Sequence, residues 1–103
     1  MTIAYKLLRA AEWAAFQRDG SSAGSPDDLR DGYIHMSTAE QVDGTRAKYF
    51  ADEPGVVLLA VDTAKLGDEI RWEASRGGQL FPHLYRPLRL DEVTLEAGPS
   101  SPR

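Results

Sequence analysis

The run Val56-Val57-Leu58-Leu59-Ala60-Val61 decides the fold of this chain. It is a continuous series of β-branched and aliphatic residues, which is the pattern of a strand covered on both faces. Residues 62–67 follow it and are rich in turn-forming types. We therefore predict that residues 56–61 form the central strand of a sheet.

Four further segments are predicted to form strands, of which residues 33–36 are short and apolar enough to be buried. Residues 4–8 place Lys6 on the same side as the apolar Ala4 and Leu8, which makes it an unusual inward-facing residue. Residues 69–73 alternate strictly between apolar and charged types, and residues 93–95 are expected to form a closing strand. Strands thus dominate the chain.

Two segments ahead of residue 32 have helical signals. Residues 10–18 are rich in Ala and are followed by Gly20, which is placed to end a helix. Ser25 followed by Pro26 suits a short helical turn, with the serine as its cap and the proline at its first position.

A second main helix is predicted to begin at Ser37. Ser37 and Glu40 match the capping box, in which serine is followed three residues later by glutamate. This helix would run to about Phe50. Because the strands outnumber the two main helices and do not alternate with them regularly, the predicted class is α+β rather than a wound parallel sheet.

Length and composition indicate one domain. The chain has 103 residues, of which 42% are hydrophobic, enough for a single core and for a folded monomer. We predict a domain over residues 1–96 and a flexible, polar tail over residues 97–103.

Several functional classes are disfavoured by the composition. The chain contains no Cys, which excludes disulfides, thiolate zinc sites and cysteine nucleophiles. The net charge is −4 and no cluster of Lys and Arg exceeds a dipeptide, so binding to long nucleic acid is not expected. The sequence shows neither a signal peptide nor a membrane-spanning run, and we expect a cytoplasmic protein without membrane contact.

The first candidate site surrounds His35. With a period of two, Tyr33, His35 and Ser37 share one face just before the predicted second helix. A ligand there would meet an imidazole, a hydroxyl and free backbone N–H groups, which favour phosphate, ribose or carboxylate. Alternatively, Ser37 only caps the helix and His35 is a hydrogen-bonded, half-buried residue.

The second candidate site lies around His83. If the segment is extended, Phe81, His83 and Tyr85 share one face, and Arg71 shares a face with Glu73. A desolvated Glu73 carboxylate would hold a ribose hydroxyl or act as a base, whereas on a solvated face it would only pair with Arg71. The aromatic residues are equally well explained as core or rim residues.

Together these segments supply nine candidates. The candidate catalytic residues are His35, Glu73 and His83, and the candidate ligand-binding residues are Tyr33, Ser37, Arg71, Trp72, Phe81 and Tyr85.

The chain resembles a family of small, mostly bacterial proteins catalogued as domain of unknown function 952. The resemblance covers about residues 3–95. It is carried by Tyr5-Lys6-Leu7, by Asp31-Gly32-Tyr33-Ile34-His35-Met36-Ser37-Thr38 with Gln41 following, by Leu58-Leu59-Ala60-Val61-Asp62, by Arg71-Trp72-Glu73 and by Phe81-Pro82-His83-Leu84-Tyr85.

The resemblance implies a fold like that of the ADP-ribosyltransferases, a small split antiparallel sheet with a cleft that binds NAD in relatives. In active relatives a His or Arg holds the NAD ribose, a Ser, Thr or aromatic element lies nearby, and a Glu often completes the set. By residue type, His35, Ser37 and Glu73 are the candidates here.

Three functions follow as hypotheses. The first is an ADP-ribosyl-type transferase that uses NAD, in which His35 and Ser37 orient the cofactor and Glu73 stabilises an oxocarbenium-like centre. The second is a non-catalytic sensor of a small or nucleotide ligand, because residues 5–7 carry no His or Arg.

The third is a two-histidine phosphoesterase. His35-Met36-Ser37 has the His-apolar-Ser form of such enzymes, although in His83-Leu84-Tyr85 tyrosine replaces the small hydroxyl residue. No metal is expected, because a site made of His35, His83 and Glu73 would need three distant residues to converge without helical His spacing.

Overall fold

The computed structural model describes residues 2–98 of the chain and shows an α+β protein, which confirms the predicted class. The strands are β1 (Ile3–Leu8), β2 (Ser21–Ser22), β3 (Ile34–His35), β4 (Val57–Asp62), β5 (Ile70–Ala74), β6 (Leu80–Leu84), β7 (Leu88–Arg89) and β8 (Thr94–Ala97), and the α-helices are α1 (Ala10–Asp19), α2 (Pro26–Asp31) and α3 (Val42–Tyr49). Short 3-10 helical turns occur at Thr63–Glu69, Arg76–Gly78 and Leu90–Glu92.

Two three-stranded antiparallel sheets form the framework. One has the order β1-β4-β8 and the other β3-β6-β5, while β2 and β7 form a separate short pair. Tyr5 of β1 connects the two larger sheets through a bridge to Ser37, with N–H···O distances of 2.7 and 2.9 Å. Strand β4 lies in the middle of its sheet, as its apolar run predicts.

The core lies between the sheets and helix α1. Phe16 of α1 is buried together with Leu59 of β4 and Leu84 of β6. Lys6 of β1 is also buried, with only 7% of its surface exposed, which confirms that it faces inward. Such a buried ammonium requires a buried partner.

Helix α1 ends and helix α2 begins as the sequence predicts. Gly20 ends α1 in the left-handed conformation, with its N–H donated to the carbonyl of Phe16. Ser25 caps α2, since its hydroxyl accepts the N–H of Asp28, and Pro26 is the first residue of that helix.

The predicted start of the second main helix at Ser37 is wrong. The backbone N–H and C=O of Ser37 both bond to Tyr5, which holds this residue in an extended conformation. The chain then turns, and Thr38 accepts the N–H groups of Gln41 and Val42 before α3 begins at Val42. Pairing across the sheets therefore outweighs the local capping signal.

The C-terminal end is described only in part. Strand β8 ends at Ala97, which is the first residue of the segment predicted as a tail. Residues 99–103, the rest of that prediction, lie outside the described residues. Over residues 2–98, no helix is both long and apolar enough to cross a membrane.

Candidate functional site

The buried carboxylate of Asp28 organises one side of the site. Helix α2 is anchored at Ser25 and directs Asp28 inward, where Oδ2 accepts from Lys6 Nζ at 2.8 Å and from the Ser25 N–H at 2.9 Å. Its Oδ1 accepts from the His35 N–H at 3.1 Å and contacts His35 Nδ1 at 2.6 Å. Lys6 Nζ also donates to the His35 carbonyl at 2.8 Å.

These contacts determine the ionisation of Asp28. Burial on its own would raise the pKa of this carboxyl, but the His35 hydrogen bond, the charge and hydrogen bond of Lys6 and the Ser25 N–H more than offset it. The pKa of Asp28 is therefore held well below its usual range. The carboxylate is a permanent negative charge that fixes Lys6 and His35.

The ring of His35 lies between two carboxylates. Nδ1 contacts Asp28 Oδ1 at 2.6 Å and Nε2 lies 3.1 Å from Asp31 Oδ2. The Nδ1 contact is a hydrogen bond, and the Nε2 atom lies close to the second carboxylate. A doubly protonated ring in this position would place a positive charge between two ionised carboxylates at the edge of the site.

His83 has a different environment on the neighbouring strand. The residue is buried, and its Nδ1 lies 2.8 Å from Oε1 of Glu73 on β5. The same carboxylate oxygen accepts from the Tyr85 hydroxyl at 2.6 Å. The hydrogen bonds from Tyr85 and His83 lower the pKa of Glu73, and the bond to Glu73 raises the pKa of Tyr85.

The Glu73 carboxylate thereby selects one tautomer of His83. Since ionised Glu73 accepts the Nδ1 proton, Nε2 of the neutral ring is left as the basic nitrogen. The hydrogen bond described for His83 is made by Nδ1. His83 thus has the arrangement of a carboxylate-oriented general base.

Aromatic contacts hold the two histidines side by side. His35 and His83 are register partners on β3 and β6, with ring centroids 5.4 Å apart. Tyr33 stacks on His83 at 4.2 Å and lies 4.6 Å from the His35 ring. The pKa of Tyr33 is raised, mainly by burial and further by the nearby carboxylates of Asp31 and Glu73, so its hydroxyl stays neutral.

One cavity of about 340 Å³ opens beside these rings. The predicted site residues that line it are Tyr33, His35, Ser37, Phe81 and His83. The two histidines therefore share one cavity, which the sequence left open. Ser37 contributes a buried hydroxyl that lies 3.1 Å from Thr45 Oγ1.

The other four predicted residues lie outside the cavity lining. Glu73 and Tyr85 reach the cavity through His83, and the Arg71 guanidinium lies 4.6 Å from the centre of the Tyr85 ring. Trp72 is not brought into this cluster. It pairs with Pro82 on the opposite face of the sheet and is 41% exposed.

Three residues of the site, Lys6, Asp28 and Asp31, are not among those predicted from the sequence. The inward position of Lys6 was the available signal, because a buried ammonium implies a buried carboxylate. Ser25 followed by Asp28 also has capping-box spacing, with the Asp28 carboxylate accepting the Ser25 N–H.

No metal centre accompanies these groups within residues 2–98, where His, Asp and Glu side chains form no cluster of three suited to a metal ion.

The fold and the site together define a class: a small α+β protein with two joined antiparallel sheets and two histidine–carboxylate pairs beside one cavity. Residues 7–95 match the model of the family described as "Protein of unknown function (DUF952)". The chain belongs to this family.

Solved structures of one relative share the fold. The crystal structure of protein CC0527 from Caulobacter crescentus is 47% identical, covers 96% of this chain and 94% of its own, and superposes with a TM-score of 0.88. Its solution NMR structure gives 53% identity over 91% of this chain and 81% of that one, with a TM-score of 0.80. No curated protein matches the chain.

Proposed function

We propose that the chain binds a small nucleotide-like or phosphorylated ligand in the cavity and moves a proton to or from it through Glu73 and His83. One observation carries the proposal: the 2.8 Å contact between Glu73 Oε1 and Nδ1 of the buried, cavity-lining His83. In this orientation His83 Nε2 accepts a proton from a ligand hydroxyl or from water. The Glu73 carboxylate then stabilises the imidazolium that forms.

The cavity suits a small ligand of this kind. Its volume of about 340 Å³ lies within the range of small-molecule sites. The lining includes the aromatic residues Phe81 and Tyr49, and the imidazole of His35 would supply positive charge to an anionic ligand when protonated. NAD is the ligand that the family resemblance implies, and ADP-ribosyl-type transfer is the reaction to test first.

The contacts of Glu73 change the role expected for it in such a transfer. Its Oε1 already accepts from His83 and Tyr85, so it acts on the ligand through His83. His83 would accept the proton of the attacking hydroxyl, while the neighbouring His35 ring would lie near the phosphates.

A two-histidine phosphoesterase is the second candidate, and the pairing of His35 with His83 favours it. Their ring centroids are 5.4 Å apart, the Glu73 contact leaves Nε2 of His83 as the basic nitrogen, and a protonated His35 ring would supply positive charge. Opening of a cyclic phosphate needs a base for the attacking water and positive charge on the phosphoryl oxygens.

A ligand screen followed by turnover assays tests the proposal. Thermal unfolding would be followed with NAD, mononucleotides, cyclic nucleotide phosphates and phosphorylated metabolites. A ligand at 100 times its Kd adds about 2.7 kcal/mol, which shifts the Tm of a domain of this size by roughly 10 °C or more. Absence of a shift with all of them at millimolar concentration would refute ligand binding of this class.

The catalytic step is tested with Glu73→Gln, and Glu96→Gln on the exposed strand β8 is the matched control. We expect Glu73→Gln to bind ligand as the wild type does and to lose roughly 10²- to 10⁴-fold in turnover. Wild-type turnover in this variant would rule out the proton-transfer role.

Tight binding by the wild type without any product after long incubation would identify a non-catalytic sensor instead. Phosphoesterase activity that survives in His83→Ala would exclude the second candidate.

A further inference from the structure

The carboxylate of Asp31 is bound by a set of donors that would suit an external anion. Arg30 Nε lies 3.0 Å from Asp31 Oδ1 and its Nη2 lies 3.3 Å from Oδ2. His35 Nε2 lies 3.1 Å from the same Oδ2. A planar guanidinium fork beside a ring N–H is a common way to bind a carboxylate or a phosphate.

Asp31 and Asp28 hold the two sides of the His35 ring in very different ways. The Asp28 side chain is buried and accepts from Lys6, Ser25 and His35, whereas the Asp31 side chain is 31% exposed. Exposed ion pairs contribute little to stability, so Asp31 can leave His35 at small cost while Asp28 keeps the ring in place. The Nε2 contact is therefore the exchangeable one.

This exchangeable contact is at the cavity. Arg30, Asp31 and His35 all line it, and the His35 ring lies beside His83. An anionic group that entered the cavity would meet the donors that Asp31 now occupies.

We propose that the ligand carries a phosphate or carboxylate group that replaces Asp31 on His35 Nε2 and on the Arg30 fork. Asp31 thus occupies the anion subsite of the free protein and competes with the ligand. This inference rests on the proposed function, since it concerns the same cavity, but it concerns binding and not proton transfer. It requires that the ligand be anionic close to the histidine pair.

Asp31→Asn and Asp27→Asn form a matched pair of variants. Asp27 lines the same cavity and also pairs with Arg30, at 3.1 Å. The carboxylate described beside His35 Nε2, however, is that of Asp31. Both variants remove one negative charge near the same guanidinium. Only Asp31→Asn removes the carboxylate from the imidazole.

Inorganic phosphate and acetate would be titrated into each ¹⁵N-labelled protein while the side-chain ¹⁵N resonances of His35 are followed by NMR. We expect Asp31→Asn to bind phosphate about fivefold or more tightly than the wild type, because it removes the carboxylate that competes with the anion at His35 Nε2. We expect less than a twofold change in Asp27→Asn. Arg30→Gln should weaken binding.

The outcomes separate the anion source and the two proposals. Stronger binding of phosphate than acetate assigns a phosphate ligand, and the reverse assigns a carboxylate. Equal tightening in both Asn variants, unmoved His35 resonances, or no binding of either anion would overturn the inference. None of these readouts requires turnover, so loss of the anion subsite and failure of proton transfer through Glu73 are distinguishable.

Discussion

Replacing Asp28 with Asn should be among the most destabilising isosteric changes in the protein. The substitution removes the negative charge that the buried Lys6 ammonium contacts at 2.8 Å and leaves that cation without a counter-charge. It also weakens the support for the His35 ring, which lies 2.6 Å from the same carboxylate. Removal of one partner from a buried ion pair typically costs about 3–5 kcal/mol.

This cost is a large part of the total stability. The free energy of unfolding of a domain is typically about 5–15 kcal/mol. A loss of 1 kcal/mol lowers the Tm of a domain of 60–100 residues by roughly 4–8 °C. We therefore expect the Tm of Asp28→Asn to fall by roughly 12–40 °C. Asp27→Asn is the control, because Asp27 lies on the exposed side of the same helix.

The cost should depend on pH with a defined sign. The pKa of Asp28 is lower in the folded state than its ordinary value of 3.8, so its contribution is complete above the unfolded-state pKa. It is lost as the pH falls below about 4 toward the lower folded-state pKa. The stability difference between wild type and Asp28→Asn should be largest near neutral pH and shrink in acid.

Urea denaturation at several pH values measures these differences. Lys6→Met combined with Asp28→Leu provides a further comparison, because replacement of a whole buried pair by apolar residues is often close to neutral. The free energy of unfolding of Asp28→Asn at neutral pH should thus be clearly below that of the wild type. A difference of less than about 1 kcal/mol, well below the cost of a broken buried pair, would refute the importance of the Lys6–Asp28 pair.

Three further changes have defined outcomes. Gly24→Ala should cost more than Gly20→Ala, because both glycines have positive φ but only at Gly24 would a Cβ overlap the Asp28 carboxylate; equal free energies of unfolding in urea would contradict this. Phe16→Ala should cost about 3–5 kcal/mol by the same measurement, since its ring is buried against the core, and a cost below ~1 kcal/mol would be inconsistent with that packing. Tyr85→Phe should raise the pKa of Glu73, because it deletes a hydrogen bond to the carboxylate, and an NMR titration of Glu73 that matched the wild type would show that this bond has no influence.

The elements that could be predicted from sequence are those fixed by local periodicity or backbone chemistry. The apolar run of β4, the left-handed glycine after α1 and the Ser25-Pro26 start of α2 each specify their own conformation. The alternation of β1 also identified Lys6 as inward-facing.

The errors arose where distant parts of the chain decide the outcome. Ser37 carries a capping signal, but its backbone pairs with Tyr5. Trp72 is a different case, because its local alternation with Arg71 and Glu73 already placed it on the other face of the sheet, away from the site. Asp28 is important because it pairs with Lys6, 22 residues away in sequence. Local sequence patterns do not indicate which carboxylate pairs with this lysine, so the structure is needed to identify it.

The Tyr5–Ser37 bridge is the place where the two larger sheets are joined. Two backbone hydrogen bonds and the bond from Lys6 to the His35 carbonyl connect one sheet to the other there, and the cavity is lined from both sides of it. A ligand in the cavity would therefore contact both sheets and stabilise their connection. Amide hydrogen exchange at Tyr5 and Ser37 would slow when the ligand binds, so these two protons report occupancy of the cavity without any knowledge of the reaction.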